Sequence, residues 1–195
     1  MFSQLPAITR TLLIANLIGF GLQWLMPGVV EAWFALWPLH VNFQPWQLLS
    51  YGFLHGGLLH IAFNMFGLTM FGADLERLWG PRRFLTFYLI SVLTAGLTQL
   101  VFSAYTGDPT PTVGASGGVY GLVLGFAMMF PERRIMLLFP PIPMPARVFA
   151  LLFAGLELYL GATGTQSGVA HFAHLGGMLG GFIVLQVWKT QRRLR

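Results

Sequence analysis

Six long apolar segments determine what this 195-residue chain can fold into. Only 9% of its residues are charged, whereas soluble domains carry about a quarter. Segments of this length and composition are typical of membrane-spanning helices. We therefore predict an all-α membrane protein, a six-transmembrane-helix bundle that forms a single membrane domain over 1–195 with no soluble domain. The predicted spans cover approximately residues 9–27, 48–72, 84–104, 116–130, 146–163 and 169–188.

The basic residues indicate how these spans are oriented. They lie before or at the start of the first span, between spans two and three, between spans four and five, and after span six, and the other three loops contain none. This positive-inside distribution predicts a multi-pass protein of the bacterial inner (cell) membrane with both termini in the cytoplasm. Orientation alone accounts for the net charge of +5, so we expect no nucleic-acid partner. The basic residues are Arg10, Arg77, Arg82, Arg83, Arg133, Arg134, Arg147, Lys189, Arg192, Arg193 and Arg195.

A serine between glycines opens the fourth span. The segment 116–130 corresponds to only about 22 Å of helix, which is shorter than the bilayer core of about 30 Å. Because Glu132 and the arginines after it fix the inner end, we expect Ser116 to lie about 8 Å below the outer surface. Irregular backbone at that depth must be buried in protein or line a water-filled cavity, so the sequence predicts an outward-facing recess at this serine.

Three other polar side chains are predicted at a similar depth. His174 lies about 7 Å into span six, and His60 and Asn64 share one face of span two in its outer half. Polar side chains inside a span mark functional interiors. Glycine stripes on spans four and six let the two helices approach closely, which brings Ser116 within reach of His174. The stripes consist of Gly117, Gly121 and Gly125 on span four, and of Gly176, Gly177, Gly180 and Gly181 on span six.

The set predicts transfer of an acyl group to water. Histidine is a suitable base for a serine hydroxyl. The free N–H groups at the start of span four, together with His60 and Asn64, can donate to a developing oxyanion. The acids near the outer ends of the spans are Asp108, in a loop, and Glu157, which can pair or be protonated. We assign neither acid any chemistry, so a Ser–His dyad is the economical interpretation.

The sequence argues against two other kinds of intramembrane protease. It lacks the His-Glu-x-x-His pattern of metalloproteases. An aspartyl site needs two aspartates within the spans, and the only aspartates, Asp74 and Asp108, lie in predicted loops. We therefore expect no metal and no other cofactor. His171 and His55 lie near the outer ends of their spans, where a structural role in interhelical hydrogen bonding is the simpler interpretation.

Three motifs, taken in this order, resemble the rhomboid family of intramembrane serine proteases. They are His-Gly-Gly-Leu-Leu-His-Ile-Ala-Phe-Asn at 55–64, Gly-Ala-Ser-Gly at 114–117 and Ala-His-Leu-Gly-Gly at 173–177. The similarity covers essentially the whole chain as the six-span core. By this resemblance, Ser116 is the nucleophile and His174 the base, and the substrates are single-span membrane proteins cut near their outer boundary, with small residues beside the cleaved bond.

The resemblance also implies supporting roles. His60, Asn64 and the backbone N–H of Ser116 would form the oxyanion hole, with Gly114 beside it, and Tyr120 would pack against the ring of the catalytic histidine. The sequence departs from the family pattern in the first loop, where Trp46 is followed by glutamine at position 47. Many members have an arginine there that helps to anchor the loop.

Two other functions use the same polar recess. A catalytically inactive rhomboid-like protein would bind membrane proteins without cutting them, although such relatives typically lose the serine or the histidine. A small transporter or channel would not need a serine flanked by glycines opposite a histidine. Ser116→Ala separates these functions: a protease would lose its turnover, whereas a binding protein or a transporter would largely keep its function. Span five and the loop 161–168 are the candidates for the segment that admits substrate.

Overall fold

The computed structural model describes residues 4–137, 140–164 and 169–193, and these fold mostly into helices. Short 3₁₀ and π-helical turns (Tyr51–Phe53 and Leu68–Gly72) accompany the α-helices. The helices and strands are α1 (Ala7–Leu25), α2 (Val29–Phe34), α3 (Gln47–Ser50), α4 (Leu58–Gly67), α5 (Ala73–Trp79), α6 (Pro81–Thr106), α7 (Ser116–Met129), β1 (Arg134–Met136), β2 (Pro143–Pro145), α8 (Ala146–Thr163) and α9 (His171–Arg193).

Four helical stretches in the described part of the chain are long and apolar enough to cross a membrane. They are α1, the continuous run from α4 to α5 (Leu58–Trp79), α6 and α8. Helix α7 is apolar but shorter, and α9 has 23 residues. The prediction of a helical membrane protein is therefore confirmed, and the crossing of all six segments stays a prediction.

The second predicted span is divided in the structure. The apolar run 48–72 begins as α3 and a 3₁₀ turn, becomes extended at Leu54, and turns helical again only after Gly57. Glycine is a poor helix former, and the pair Gly56–Gly57 separates two apolar runs that hydropathy alone joins. The helix then continues through the π turn as far as Trp79. The long helix is thus displaced toward the C-terminus relative to the prediction.

A short hairpin connects α7 to α8. Strand β1 pairs with β2 in antiparallel fashion, with Ile135 opposite Met144. The proline-rich stretch 140–145 contains no helix, because proline lacks the backbone N–H and blocks the preceding turn. The pairing of the two strands is an addition to the all-α prediction.

The basic residues gather at one end of the helix bundle. Asp74 of α5 contacts the guanidinium groups of Arg77 at 3.1 Å and Arg133 at 2.9 Å. The guanidinium of Arg83 lies 5.6 Å from the ring centre of Trp188, near the end of α9. These contacts join α5, α6, α9 and the α7–β1 turn at a single end, as a positive-inside arrangement requires.

Glycines allow α7 and α9 to touch backbone to backbone. A Cβ atom on Gly177 would lie 1.9 Å from the carbonyl oxygen of Gly117, and one on Gly121 would lie 3.0 Å from the carbonyl oxygen of Gly177. The predicted close approach of these two helices is confirmed. Gly176 and Gly180 serve a different contact, because they face threonine side chains of α6.

Gln47 anchors the first loop. Its side chain is fully buried, and its Oε1 accepts hydrogen bonds from the backbone N–H groups of Trp37 at 3.2 Å and Gln44 at 3.1 Å. Its Nε2 donates to the carbonyl groups of Trp33 at 3.3 Å and Asn42 at 3.4 Å. The glutamine therefore ties together the loop in which many rhomboid proteins have an arginine.

Candidate active site

Ser116 begins α7 well inside the bundle. Its neighbour Gly117 packs so tightly on α6 that an added Cβ would lie 2.4 Å from the Cβ of Ala95. Helix α6 runs on from Ala95 to Thr106, which is about 16 Å further along its axis. The serine therefore lies far below the end of its longest neighbour, and it lines a large cavity.

Ser116 and His174 are brought into direct contact. The Nε2 atom of His174 lies 2.7 Å from the Oγ of Ser116, within hydrogen-bond distance. His174 lies in the first turn of α9 and is 8% exposed. The ring of Tyr120, one turn along α7 from the serine, is stacked on the imidazole with centroids 4.3 Å apart and planes 6° from parallel. This geometry suits removal of the serine proton by the histidine.

His60 presents a hydrogen-bond donor close to the serine. Its Nδ1 accepts a hydrogen bond from the backbone N–H of Gly56 at 3.2 Å, which places the ring hydrogen of the neutral imidazole on Nε2. Gly114 has a φ of +134°, and a Cβ there would lie 2.9 Å from both Cε1 and Nε2 of His60 and 3.5 Å from the Ser116 Oγ. Only glycine fits this backbone and this space.

Asn64 lies one turn after His60 on α4 and is 5% exposed. Its Nδ2 donates one hydrogen bond to the His60 carbonyl oxygen at 2.9 Å. The amide carries a second hydrogen that this bond does not use. Asn64 and His60 both line the cavity that contains Ser116, so they add donors on the side of the serine that faces α4.

The cavity has a volume of about 1000 Å³. In one direction it extends from the serine to the end of α8 and the chain that leads into α9, where Gly161, Gly164 and Val169 form part of its wall, and in the other it reaches Ile135 of β1. Gly161 and Gly164 belong to the loop predicted to admit substrate, of which 165–168 lie outside the described residues. The cavity is large enough for several residues of an extended peptide.

Glu157 is a site residue to which the sequence analysis gave no role. It is 5% exposed, and its Oε2 lies 2.6 Å from the Nδ1 of His171 and 2.9 Å from the Nδ1 of His174. The hydroxyl of Tyr120 donates to its other oxygen. The carboxylate of α8 therefore contacts His174 on the side away from Ser116. The dyad interpretation did not place a carboxylate there.

Two other polar candidates have different surroundings. His55 is buried, its ring lies edge-on to the ring of His60 with centroids 5.2 Å apart, and neither ring nitrogen has a hydrogen-bond partner among the described residues, so the expected interhelical hydrogen bond is not found. Asp108 accepts a hydrogen bond from the backbone N–H of Thr110 at 2.9 Å. Hydrogen bonds from Thr110 hold the pKa of Asp108 below its ordinary value. This acid thus stabilises its own loop, and Glu157 is the carboxylate that reaches the histidine.

Within the described part of the chain, one group of side chains could hold a metal ion, and it consists of Glu157, His171 and His174. Each offers one ligand atom, and these atoms lie within 4.8 Å of one another. Ligands around tetrahedral zinc are separated by roughly 3.3 Å, whereas the carboxylate oxygen lies only 2.6 and 2.9 Å from the two Nδ1 atoms. The groups are spaced to bind each other, so we assign no metal to them.

Comparison with known proteins identifies relatives along most of the chain. Residues 42–189 match the family model described as "Rhomboid domain". Rhomboid protease GluP of Bacillus subtilis (strain 168) is 31% identical over 137 residues, which are 70% of this chain and 25% of that protein. RHOMBOID-like protein 4 of Arabidopsis thaliana is 36% identical over 141 residues, or 72% of this chain and 33% of that protein. Rhomboid protease GlpG of Yersinia pestis (strain Pestoides F) is 31% identical over 174 residues, or 85% of this chain and 56% of that protein.

The chain spans between a quarter and just over half the length of these relatives. The match includes every residue of the site described above, from His60 in α4 to His174 in α9. The three motifs that carried the resemblance also lie inside it. The chain belongs to the rhomboid family.

Proposed function

We propose that this protein is an intramembrane serine endopeptidase that cleaves single-span membrane proteins near the outer membrane boundary. The observation that carries the proposal is the 2.7 Å contact between the His174 Nε2 and the Ser116 Oγ in the wall of a large cavity. Two of the relatives named above are themselves described as rhomboid proteases, which supports the reaction class.

In the first step, Ser116 forms an ester with the substrate. The Oγ attacks the carbonyl carbon of the scissile bond while the His174 Nε2 accepts the hydroxyl proton. The negative charge that develops on the carbonyl oxygen is met by the free backbone N–H groups and the positive end of the α7 dipole. The Nε2–H of His60 and the unused amide hydrogen of Asn64 add donors from α4, each contributing roughly 10²–10³-fold in kcat at comparable sites.

His174 then gives its proton to the departing amine, and the C–N bond breaks, which completes the first step and leaves the ester on Ser116. In the second step, the ester is hydrolysed: water enters through the cavity, loses a proton to the same Nε2 and attacks the ester carbon. Collapse of this second tetrahedral intermediate releases the carboxylic acid and restores the Ser116 hydroxyl with the proton held on His174.

The proposed arrangement in the membrane follows from the two ends of the bundle. All six predicted segments would cross the bilayer as one membrane domain, with the basic end and both termini in the cytoplasm of a bacterial cell. The site would then open outward, since Ser116 begins α7 away from the basic cluster around Asp74. Substrate would approach between α8 and the rest of the bundle, where the cavity reaches Gly161.

A serine-directed covalent probe tests the proposal. The full chain, purified in detergent, is treated with a fluorophosphonate, and the labelled residue is located by mass spectrometry. We expect labelling at Ser116 in the wild type, and none in Ser116→Ala or His174→Ala. Absence of labelling in the folded wild type would favour an inactive binder, and labelling that persists in Ser116→Ala would assign the reactivity to another residue.

A further inference from the structure

We propose that Glu157 is the third member of the catalytic group, which makes the site a Ser–His–Glu arrangement in place of a dyad. Its carboxylate orients His174 and stabilises the imidazolium that forms when the serine proton is taken. Glu157 touches neither the nucleophile nor the substrate, so it is a positioning residue that acts through His174. The inference rests on the proposed protease function and adds a role to it.

The position of the carboxylate selects the tautomer that catalysis needs. His174 can accept the proton of Ser116 only if its Nε2 is unprotonated, which places the ring hydrogen on Nδ1. That Nδ1 lies 2.9 Å from the Oε2 of Glu157. In the opposite tautomer, the unprotonated Nδ1 and a carboxylate oxygen, both of which carry partial negative charge, would lie 2.9 Å apart and would repel. The carboxylate therefore holds His174 in the form that can act as a base.

The surroundings of Glu157 suit an ionised carboxylate. Its three contacts are the Tyr120 hydroxyl, the Nδ1 of His171 and the Nδ1 of His174. All three groups can donate, and an ionised carboxylate accepts up to about four hydrogen bonds and donates none. The buried charge is thus supported before the reaction begins. It is available to the imidazolium at the moment His174 becomes positive.

Tyr120 couples the acid to the base. Its hydroxyl donates to Glu157 while its ring stacks on His174. One side chain of α7 therefore sets the position of both groups, which come from α8 and α9. In the free protein, the Nδ1–H of His174 is not aligned with the oxygen that lies 2.9 Å away. Such contacts commonly straighten only when substrate is bound.

A purely structural role makes a different prediction. His171 shares the same Oε2 at 2.6 Å, so Glu157 would in that case serve to attach α9 to α8 through His171. Removing His171 would then be as harmful as removing the acid. In the catalytic role, loss of His171 removes one of the three contacts of the carboxylate but leaves its contacts with Tyr120 and His174, so turnover falls less than when the acid itself is removed.

Four variants of the full chain in proteoliposomes separate these roles, with cleavage of a single-span reporter as the assay. We expect Glu157→Gln, which keeps the shape and removes the charge, to lower kcat by roughly 10²-fold or more with little change of KM. Glu157→Asp, which keeps the charge and shortens the side chain, should recover part of kcat. His171→Asn should lose clearly less kcat than Glu157→Gln, and Ser116→Ala should be inactive.

The order of the two acid variants decides the question even if each loses stability. If the charge of Glu157 matters, Glu157→Asp must have a higher kcat than Glu157→Gln. If only packing matters, Glu157→Gln must have the higher kcat, because glutamine has the size and shape of glutamate. The proposal is overturned if Glu157→Gln cleaves at the wild-type rate, if Gln exceeds Asp, or if His171→Asn loses as much kcat as Glu157→Gln. Equal cleavage by wild type and Ser116→Ala would instead refute the protease function itself.

Discussion

A single methyl group on Gly177 should separate Ser116 from His174. This glycine lies one helical turn after His174, and a Cβ on it would meet the carbonyl oxygen of Gly117, the residue next to Ser116, at 1.9 Å. An ordinary contact needs about 3.4 Å, so the backbones of α7 and α9 must move apart by up to about 1.5 Å. The atoms that the methyl group would meet are backbone atoms of Gly117, so no side chain can turn away to relieve the clash.

The movement should be visible in both stability and activity. Overpacking of this kind destabilises by about 1–3 kcal/mol. A displacement of about 1 Å can lower the rate about 10²-fold when it separates reacting groups, and here it acts on the 2.7 Å contact between the His174 Nε2 and the Ser116 Oγ. We expect Gly177→Ala to lower kcat for a single-span reporter by about 10²-fold, with a lower midpoint of thermal unfolding.

Gly155→Ala is the matched control. Gly155 lies on the exposed face of α8, and an added Cβ would have no neighbour within 4 Å among the described residues. Its kcat and unfolding midpoint should match those of the wild type. Wild-type kcat in Gly177→Ala would refute the argument, because the close packing of α7 and α9 would then have no part in holding the serine against the histidine.

Three further predictions concern the first loop, the oxyanion donors and the start of α1. Gln47→Ala leaves two partly buried backbone N–H groups without their acceptor and should lower the free energy of unfolding by about 1–3 kcal/mol. An unchanged unfolding midpoint would contradict the anchoring role. His60→Ala and Asn64→Ala should each lower kcat by roughly 10²–10³-fold while KM changes little, and full turnover in both variants would remove them from the proposed oxyanion hole. Glu76→Gln should reduce the free energy of unfolding by about 1–3 kcal/mol, because the Glu76 carboxylate accepts three hydrogen bonds of 2.7–2.9 Å from the first turn of α1. Thermal unfolding of the variant and the wild type tests this, and equal midpoints would show that these bonds contribute nothing to stability.

Helix length and glycine spacing predicted much of what positions the site. The short fourth span implied that Ser116 is recessed, and the structure starts α7 about 16 Å below the end of α6. The glycine repeats implied the close approach of α7 and α9, which the backbone contact of Gly117 with Gly177 shows directly. Both features can be predicted from the sequence because the length of a helix and the size of its side chains depend only on its own residues.

The contact between Glu157 and His174 was not predicted, although the sequence contains a signal for it. The residue lies six positions before the end of α8, or about 9 Å from that end, close to the depth predicted for His174. The same depth argument that joined the serine and the histidine would have included this acid. What the sequence does not reveal is the rotation of α8 about its axis, and this rotation decides whether the carboxylate faces lipid or the histidine.

The division of the run 48–72 was missed for another reason. Hydropathy averages over a window, so an apolar loop and an apolar helix look alike, and the break at Gly56–Gly57 was absorbed into one span. Gln47 was likewise read only as a departure from the family pattern. Its four backbone partners lie 3 to 14 positions earlier in the chain, and their convergence on one side chain depends on the fold of the whole loop.

The most direct test of the account is cleavage of a single-span reporter by the purified, reconstituted chain, with wild type and Ser116→Ala measured side by side. The account predicts cleavage near the outer boundary of the reporter by the wild type, and none by Ser116→Ala at the same protein concentration. Equal cleavage by the two proteins would contradict it, because the serine that touches His174 would then have no part in the reaction.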